Sequence, residues 1–398
     1  MNRLASPLRQ YLVVTGNYWA FTLSDGALRM LVVLYFDQIG YSPLAIAMLF
    51  LFYEFFGVVT NLCGGWLGAR IGLNRTMQIG LLLQIGALGM LLAPTIALTV
   101  PWVMAAQALS GIAKDLNKMS AKSAIKQLVP TQGTLYRWVA LLTGSKNTLK
   151  GVGFFLGALL LSLVGFKGAA LVMLIALTAV ALFSLLALNR DLGRARNKPR
   201  FTDMFSGSTA VNTLAAARLC LFAARDIWFV VALPVFLADQ MGWDSWEVGA
   251  YLACWVIGYG LVQAATPRLL QRNIPNGRHA ALWAILLAAV PAALSWWLHG
   301  NSGATVLTTG LIVFGIAFAI NSAIHSFLIV DFARVDGVSM DVGFYYAANA
   351  LGRLLGTVLS GWLYQQYGLA TCMLGSALLT ITAGAVSLRL PGNTATRA

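Results

Sequence analysis

Apolar runs of about twenty residues, parted by short polar connections, recur from one end of the chain to the other. A helix needs roughly 20 mostly apolar residues to cross a bilayer. The pattern predicts twelve such helices, at 11–36, 44–68, 76–94, 101–125, 135–163, 168–188, 208–236, 246–266, 279–298, 304–330, 340–365 and 369–388. The longest connection, "NRDLGRARNKPRFTDMFSG" at 189–207, divides them into two sets of six. The predicted fold is therefore an all-α membrane protein. An N-terminal six-helix bundle covers 1–189, a polar linker 190–207, and a C-terminal six-helix bundle 208–398.

Composition agrees: 59% of the 398 residues are hydrophobic and 10% are charged, against about 25% charged in soluble domains. Lys and Arg collect in the connections of one side, from Arg3 and Arg9 through Arg70, Arg75, Arg194 and Arg200 to Arg389. The other side carries acids such as Asp37, Asp239 and Glu247. The positive-inside rule then predicts a multi-pass protein with both termini and the linker in the cytoplasm. The net charge of +14 is mostly this asymmetry. A nucleic-acid partner needs a soluble basic face, which the pattern does not supply. The first apolar run is too long for a signal peptide, contains Asp25 and Arg29, and lacks a small-residue cleavage site. Cys63, Cys220, Cys254 and Cys372 stand singly inside predicted helices, which supports neither a disulfide framework nor a metal site.

The two sets of six are related. "DQIGYSPLAIAML" at 37–49 and "DQMGWDSWEVGAY" at 239–251 lie 202 positions apart. The same offset carries Asn147-Thr-Leu of helix 5 onto Asn349-Ala-Leu of helix 11. Two parallel copies of six helices are the architecture of major facilitator transporters, whose substrate site lies between the halves near the midplane. "GGWLGARIGLNRT" at 64–76 resembles that superfamily's loop 2–3 motif at Gly65, Arg70, Gly72 and Arg75. Ala69 stands where the motif has an acid, so the latch which that acid builds in the family is expected to be weakened or made differently.

Ionisable groups embedded in the predicted helices, away from their ends, are unevenly distributed. Helix 1 holds Asp25 and Arg29, and helix 2 holds Glu54. Helix 4 holds Lys114, Asp115, Lys118 and Lys122; helix 5 holds Lys146 and Lys150. Helix 7 holds Arg218, Arg225 and Asp226, helix 10 His325, and helix 11 Arg353. Helices 3, 6, 9 and 12 hold none. Resemblance to the superfamily implies that those four face lipid and the others line a cavity, and intramembrane charges belong on the lining side. In "GIAKDLNKMSAKSAIKQLVP" lysines recur every fourth position. Counted from Pro101, Lys114 lies about 20 Å along its helix at 1.5 Å per residue, just past the middle of a core about 30 Å thick. Snorkelling accounts for Lys122 and Lys126 near the interface. It does not account for Lys114, since a centred lysine costs at least ~2.5 kcal/mol and like charges four residues apart repel.

Asp25, Glu54, Asp115 and Asp226 are the candidates for charge balance or coupling. Asp25 is placed to pair with Arg29, Asp226 with Arg225 (although neighbours on a helix point apart), and Asp115 or Glu54 with Lys114. Four acids cannot neutralise the eight cations Arg29, Lys114, Lys118, Lys146, Lys150, Arg218, Arg225 and Arg353. The surplus points to an anionic substrate, with Asn147 and Asn349 as neutral hydrogen-bonding groups. No Ser/His/Asp set or phosphate-binding glycine loop is present, so the reading is a transporter, with no catalytic residue, cofactor or ATP.

"SDGALRMLVVLYF", "FLFYEFFGVVTNLCGGWLGARIGLNRT", "ALSGIAKDLNKMSAKSAIK" and "LTGSKNTLKGVGFFLG" resemble the ArsJ-type organoarsenical efflux permeases, a branch of the major facilitator superfamily found in bacterial arsenic-resistance operons. The resemblance runs through most of the chain and is strongest in helices 1 to 5. It implies a bacterial inner-membrane exporter of 1-arseno-3-phosphoglycerate. Glyceraldehyde-3-phosphate dehydrogenase, the implied functional partner, makes this ester when arsenate replaces phosphate. The residues suit a substrate with an oxyanion at each end: Lys114, Lys118, Lys146 and Lys150 for one, Arg218, Arg225 and Arg353 for the other, and Arg29 for either. Trivalent arsenic would call for paired thiolates, whereas a pentavalent ester behaves like phosphate. An ordinary organophosphate or phosphate transporter predicts the same cations. A membrane enzyme would need a nucleophile or acid/base cluster, and a proton-coupled drug exporter would need acids in excess.

Overall fold

The computed structural model describes residues 7–40, 49, 51–129, 132–188, 192–195, 199–205, 208–243, 245–271, 274–300 and 303–391. Every regular element among them is helical. The first four helices are α1 (Pro7–Gln38), α2 (Leu51–Ile71), α3 (Leu73–Leu91) and α4 (Val100–Leu128). A run Gln132–Ala187 breaks at Gly165 into α5 (132–164) and α6 (166–187). α7 covers Thr209–Phe229 and resumes over Ala232–Met241. Then come α8 (Ser245–Leu269), α9 (Gly277–Leu298) and α10 (Ala304–Phe332). A second broken run, Val338–Ser387, divides at Gly368 into α11 (338–367) and α12 (369–387). The twelve helices follow the predicted spans; the start expected for the second, at 44–48, lies outside the described residues.

The helix breaks have local causes. Gly165 and Gly368 have φ of 69° and 77°, in the left-handed region that glycine enters without a side-chain clash. Gly368 stands 203 positions after Gly165, within one residue of the repeat offset read from the sequence. Gly72, with φ 99°, makes the sharp step from α2 to α3. Pro101 sits in the first turn of α4, where a missing N–H costs nothing.

The chain forms two compact units. One comprises Met1–Trp138, Ser145–Phe205 and Ala333–Ala347; the other comprises Val139–Gly144, Ser206–Phe332 and Ala348–Ala398. In the first, Phe21, Leu28, Leu31, Leu88 and Phe166 are part of a continuous apolar core. In the second, Trp228, Trp255, Phe314 and Phe318 anchor another. Helices α6, α9 and α12, whose only charged residues, Lys167 and Arg278, lie in a first turn, expose large apolar side chains, among them Leu171, Ile175, Leu182, Leu282, Ile285, Leu378 and Ile381. Among the described residues, seven runs are long and apolar enough to span a membrane by composition alone. α4 is not among them, because its lysines lower its hydropathy.

In the first unit, the segment after α6 packs on the α2–α3 turn. Leu73 N–H donates to Leu192 O, Ala195 N–H to Ala69 O, and Trp66 Nε1 to Pro199 O. The position where the family motif has an acid thus contributes a backbone carbonyl to hold the linker. Nearby, Ser339 Oγ donates to Gly65 O at 2.7 Å, and Arg334 donates to Asp341 through its backbone N–H and its guanidinium. This bond raises the Arg334 pKa above its ordinary value.

Glycine joints set the helix spacing. A Cβ on Gly153 of α5 would meet Leu23 O of α1 at 2.6 Å, and one on Gly26 would meet Lys150 O at 2.6 Å. We expect Gly153→Leu to force α1 and α5 apart and destabilise the protein by about 1–3 kcal/mol, read as a lower thermal unfolding midpoint in detergent. Gly16→Ala, where a Cβ meets nothing within 4 Å, should leave the midpoint unchanged or slightly raised.

Candidate functional site

In the first unit, two close helix contacts place the charges. Gly26 and Gly153 bring α1 against α5, so Asp25 and Arg29 share a joint with the helix that carries Lys146 and Lys150. Gly111 of α4 lies against the backbone of Tyr53 in α2, where a Cβ would come within 2.6 Å of Tyr53 O. Tyr53, 1% exposed, becomes the hub of the cluster. Its hydroxyl donates to Asp25 Oδ1 at 2.7 Å and lies 3.0 Å from Oδ2. Its ring has the Arg29 guanidinium carbon 4.4 Å from its centroid and Lys114 Nζ at 3.8 Å.

Further along α4, Lys118 Nζ pairs with Asp115 Oδ1 at 2.5 Å. Asp115 therefore serves Lys118, and Tyr53 meets Lys114. Lys118 and Lys122 lie 4.7 and 5.0 Å from the ring centroid of Tyr346. Lys122 is 2% exposed, so snorkelling to the interface does not describe it. Its side chain is held inside the bundle, and it joins the cluster that the sequence placed higher on the helix. On α5, Lys146 Nζ donates to Asn147 Oδ1 at 3.3 Å, and Lys150 is half-buried. The side chain of Glu54 lies outside the described residues.

The second unit holds arginines in a different setting. Arg218, 3% exposed, donates from Nε to Asn349 Oδ1 at 2.9 Å and from Nη1 to Ser322 Oγ at 3.0 Å. Ser322 Oγ is also within reach of the Tyr259 hydroxyl at 3.0 Å and Gln263 Nε2 at 3.2 Å. Asp226 is fully buried and shared: Arg225 lies 2.5 Å from Oδ1, and Arg353 Nε 3.3 Å from Oδ2. Arg225 meets its sequence neighbour because its long side chain folds back, which helical geometry alone did not suggest. Phe222 lies beneath both arginines of α7, 4.0 Å from the Arg218 guanidinium carbon and 4.8 Å from that of Arg225. On α10, His325 is fully buried, and neither ring nitrogen has a hydrogen-bond partner among the described residues.

The structure thus groups Asp25, Arg29 and Lys114 around Tyr53; Asp115, Lys118 and Lys122 along α4; Lys146 with Asn147; Arg218 with Asn349; and Arg225 with Asp226 and Arg353. The sequence reading passed over Tyr53, Tyr346, Phe222, Tyr259, Gln263 and Ser322. Phe222, four residues after Arg218 and three before Arg225, could have been found by helical spacing. The others come from separate helices. Among the described residues, no group of three or more His, Cys, Asp or Glu could hold a metal. Guanidinium and ammonium groups with neutral donors suit oxyanions: arginine as a planar fork, lysine as a point charge.

Asp226→Asn would leave two buried or half-buried arginines without their shared carboxylate. We expect a loss of about 3–5 kcal/mol, seen as a large fall in unfolding midpoint or in the amount of folded protein. Asp115→Asn should cost less, because it removes a carboxylate from one ion pair rather than from two.

Comparison with known proteins follows this geometry. The chain is similar in structure to the human organic anion transporter MFSD10 (TETRAN), with a TM-score of 0.78 at 15% identity over 96% of this chain and 99% of that one. It is similar to the E. coli fucose:proton symporter FucP, with a TM-score of 0.75 at 13% identity over 96% and 98%. It is also similar to an outward-facing bacterial homologue of the iron transporter ferroportin, with a TM-score of 0.76 at 14% identity over 95% and 98%. At these identities the likeness is one of fold. No curated protein matches the sequence. The profile of the Major Facilitator Superfamily matches residues 14–340 and 214–397, and the chain belongs to that superfamily of multi-pass membrane transporters.

Proposed function

We propose that this transporter exports an anionic organoarsenical phosphate ester, 1-arseno-3-phosphoglycerate, across the bacterial inner membrane, and so confers arsenate resistance. Glyceraldehyde-3-phosphate dehydrogenase supplies the substrate in the cytoplasm, where both chain termini lie. The observation that carries the anion part of this reading is the excess of cations over acids inside the helices of each unit. In the second, Arg225 and Arg353 share the carboxylate of Asp226, and Arg218 is held by the neutral groups of Asn349 and Ser322. In the first, Arg29, Lys114, Lys118, Lys122, Lys146 and Lys150 accompany Asp25 and Asp115. One structural neighbour is itself an organic anion transporter, which is in keeping with this chemistry. The arsenic part rests on the resemblance of helices 1 to 5 to the organoarsenical permeases. A transporter or antiporter of ordinary organophosphate or phosphate, with the same cations, is the second reading.

Transport into everted vesicles decides between them. The arseno-ester, generated in situ by the dehydrogenase, should be accumulated, whereas free arsenate should not. Uptake of 1,3-bisphosphoglycerate as fast as the arseno-ester would favour the second reading. In cells, Lys114→Gln or Lys150→Gln should abolish arsenate resistance at unchanged membrane level, and Lys126→Gln should be nearly silent. Full resistance in Lys114→Gln would remove that lysine from the site.

The energetics fit export driven by membrane potential. One charge crossing 100 mV is worth about 2.3 kcal/mol. An ester of about −3, from a phosphate near −2 plus the arsenate group, gains on the order of 7 kcal/mol on leaving a negative interior. That corresponds to a ratio of about 10⁵ at 1.4 kcal/mol per decade. Collapsing the potential should stop transport, and collapsing only the pH gradient should not. The reverse result would point to coupling through Glu54 or Asp25.

A further inference from the structure

The embedded cations share an arrangement that the anion reading does not by itself require. Three aromatic rings each lie against two of them. Tyr53 meets Arg29 and Lys114, at 4.4 and 3.8 Å. Tyr346 meets Lys118 and Lys122, at 4.7 and 5.0 Å. Phe222 meets Arg218 and Arg225, at 4.0 and 4.8 Å. All six distances fall within the roughly 6 Å over which a ring face attracts a cation. The rings are 1%, 3% and 7% exposed, so the contacts lie away from water, where this attraction is strongest.

A ring differs from a carboxylate as a partner for buried positive charge. A carboxylate neutralises the cation and must be displaced before a substrate anion can take its place. A ring offers its negative face yet carries no net charge, so the cation keeps its full charge and leaves the ring at smaller cost. A ring between two like charges also holds them in one place despite their repulsion.

Resting on the export reading above, we propose that Tyr53, Tyr346 and Phe222 are positioning residues. Their faces hold paired cations in place for the oxyanion groups of the substrate. Asp115 and Asp226 balance part of the charge. The rings fix where the cations stand and add no net negative charge of their own.

The test changes ring electrostatics without changing ring shape. Phe222 is replaced by 4-fluoro-, 3,5-difluoro- and 3,4,5-trifluorophenylalanine, which progressively empty the ring face of negative charge. Uptake of the arseno-ester, formed in situ by the dehydrogenase, is measured in everted vesicles at matched membrane levels. Apparent KM should rise stepwise, reaching about tenfold, on the order of 1.4 kcal/mol, with little change in maximal rate. The same series at Phe314, which packs on Trp228 and Phe318, should leave KM unchanged. At position 53, Tyr53→Phe keeps the ring and should stay closer to the unsubstituted KM than Tyr53→Leu. A flat KM through the trifluoro variant in protein that transports, an equal rise at Phe314, or a fall in maximal rate alone overturns the positioning role. Absence of uptake by the unsubstituted protein overturns the export reading, and this role with it.

Discussion

Positive charge held inside the membrane without an equal number of acids is the constraint to which the rest of the structure answers. Each centred lysine or arginine costs at least ~2.5 kcal/mol to place there. Neighbouring cations repel, and an acid for each would remove the charge that gives them use. The protein meets this with a mixed environment. Asp226 stands between two arginines, Asp115 beside one lysine, and amide or hydroxyl oxygens of Asn349 and Ser322 around Arg218. Aromatic faces lie under six of the cations.

The two units meet the constraint with different chemistry on the same helical plan. The first is rich in lysines, compact charges on flexible stems, and uses two tyrosines to receive them. The second uses arginines whose forks are fixed by directional hydrogen bonds. Arg218 is bonded to two separate helices through Asn349 and Ser322, and Ser322 is in turn braced by Tyr259 and Gln263. A lysine cluster adapts to an oxyanion, whereas a braced arginine presents a set geometry.

Much of this was legible in the chain. Run length gave the helices, because the bilayer imposes one length on all of them. The offset between Asn147 and Asn349 exposed the repeat, and the glycine breaks at 165 and 368 repeat it in the backbone. Lys114 stood out because depth along a helix can be counted. Lys122 did not, because the same count placed it near the interface; what keeps it buried is Tyr346, more than two hundred positions away. Tyr53 was hidden for a similar reason. In "FLFYEFFGVV" it is one aromatic among several, and only the packing of α2 on α4 at Gly111 turns it toward Asp25, Arg29 and Lys114. Pairing of Arg225 with Asp226 was named in the sequence despite the outward divergence of adjacent helical positions, and the structure forms it.

Glycine content and intramembrane charge are linked by the same physics. In water a glycine inside a helix costs roughly 0.5–1 kcal/mol relative to alanine. Inside a bilayer the helix is secured by the lack of any other partner for its backbone groups, so the residue can be used for close approach. At Gly26, Gly153 and Gly111 that approach is backbone against backbone. At Gly352 and Gly356, α11 meets α7 in the same way, beside Arg218 and Asp226. Only at such separations do side chains from two helices reach one another with little room for water between them. A bulkier residue at the joint would widen it, admit water and weaken each ring and hydrogen-bond contact that makes the buried cations tolerable. The glycines that look like weak points in the helices are thus what allows the charge to be there.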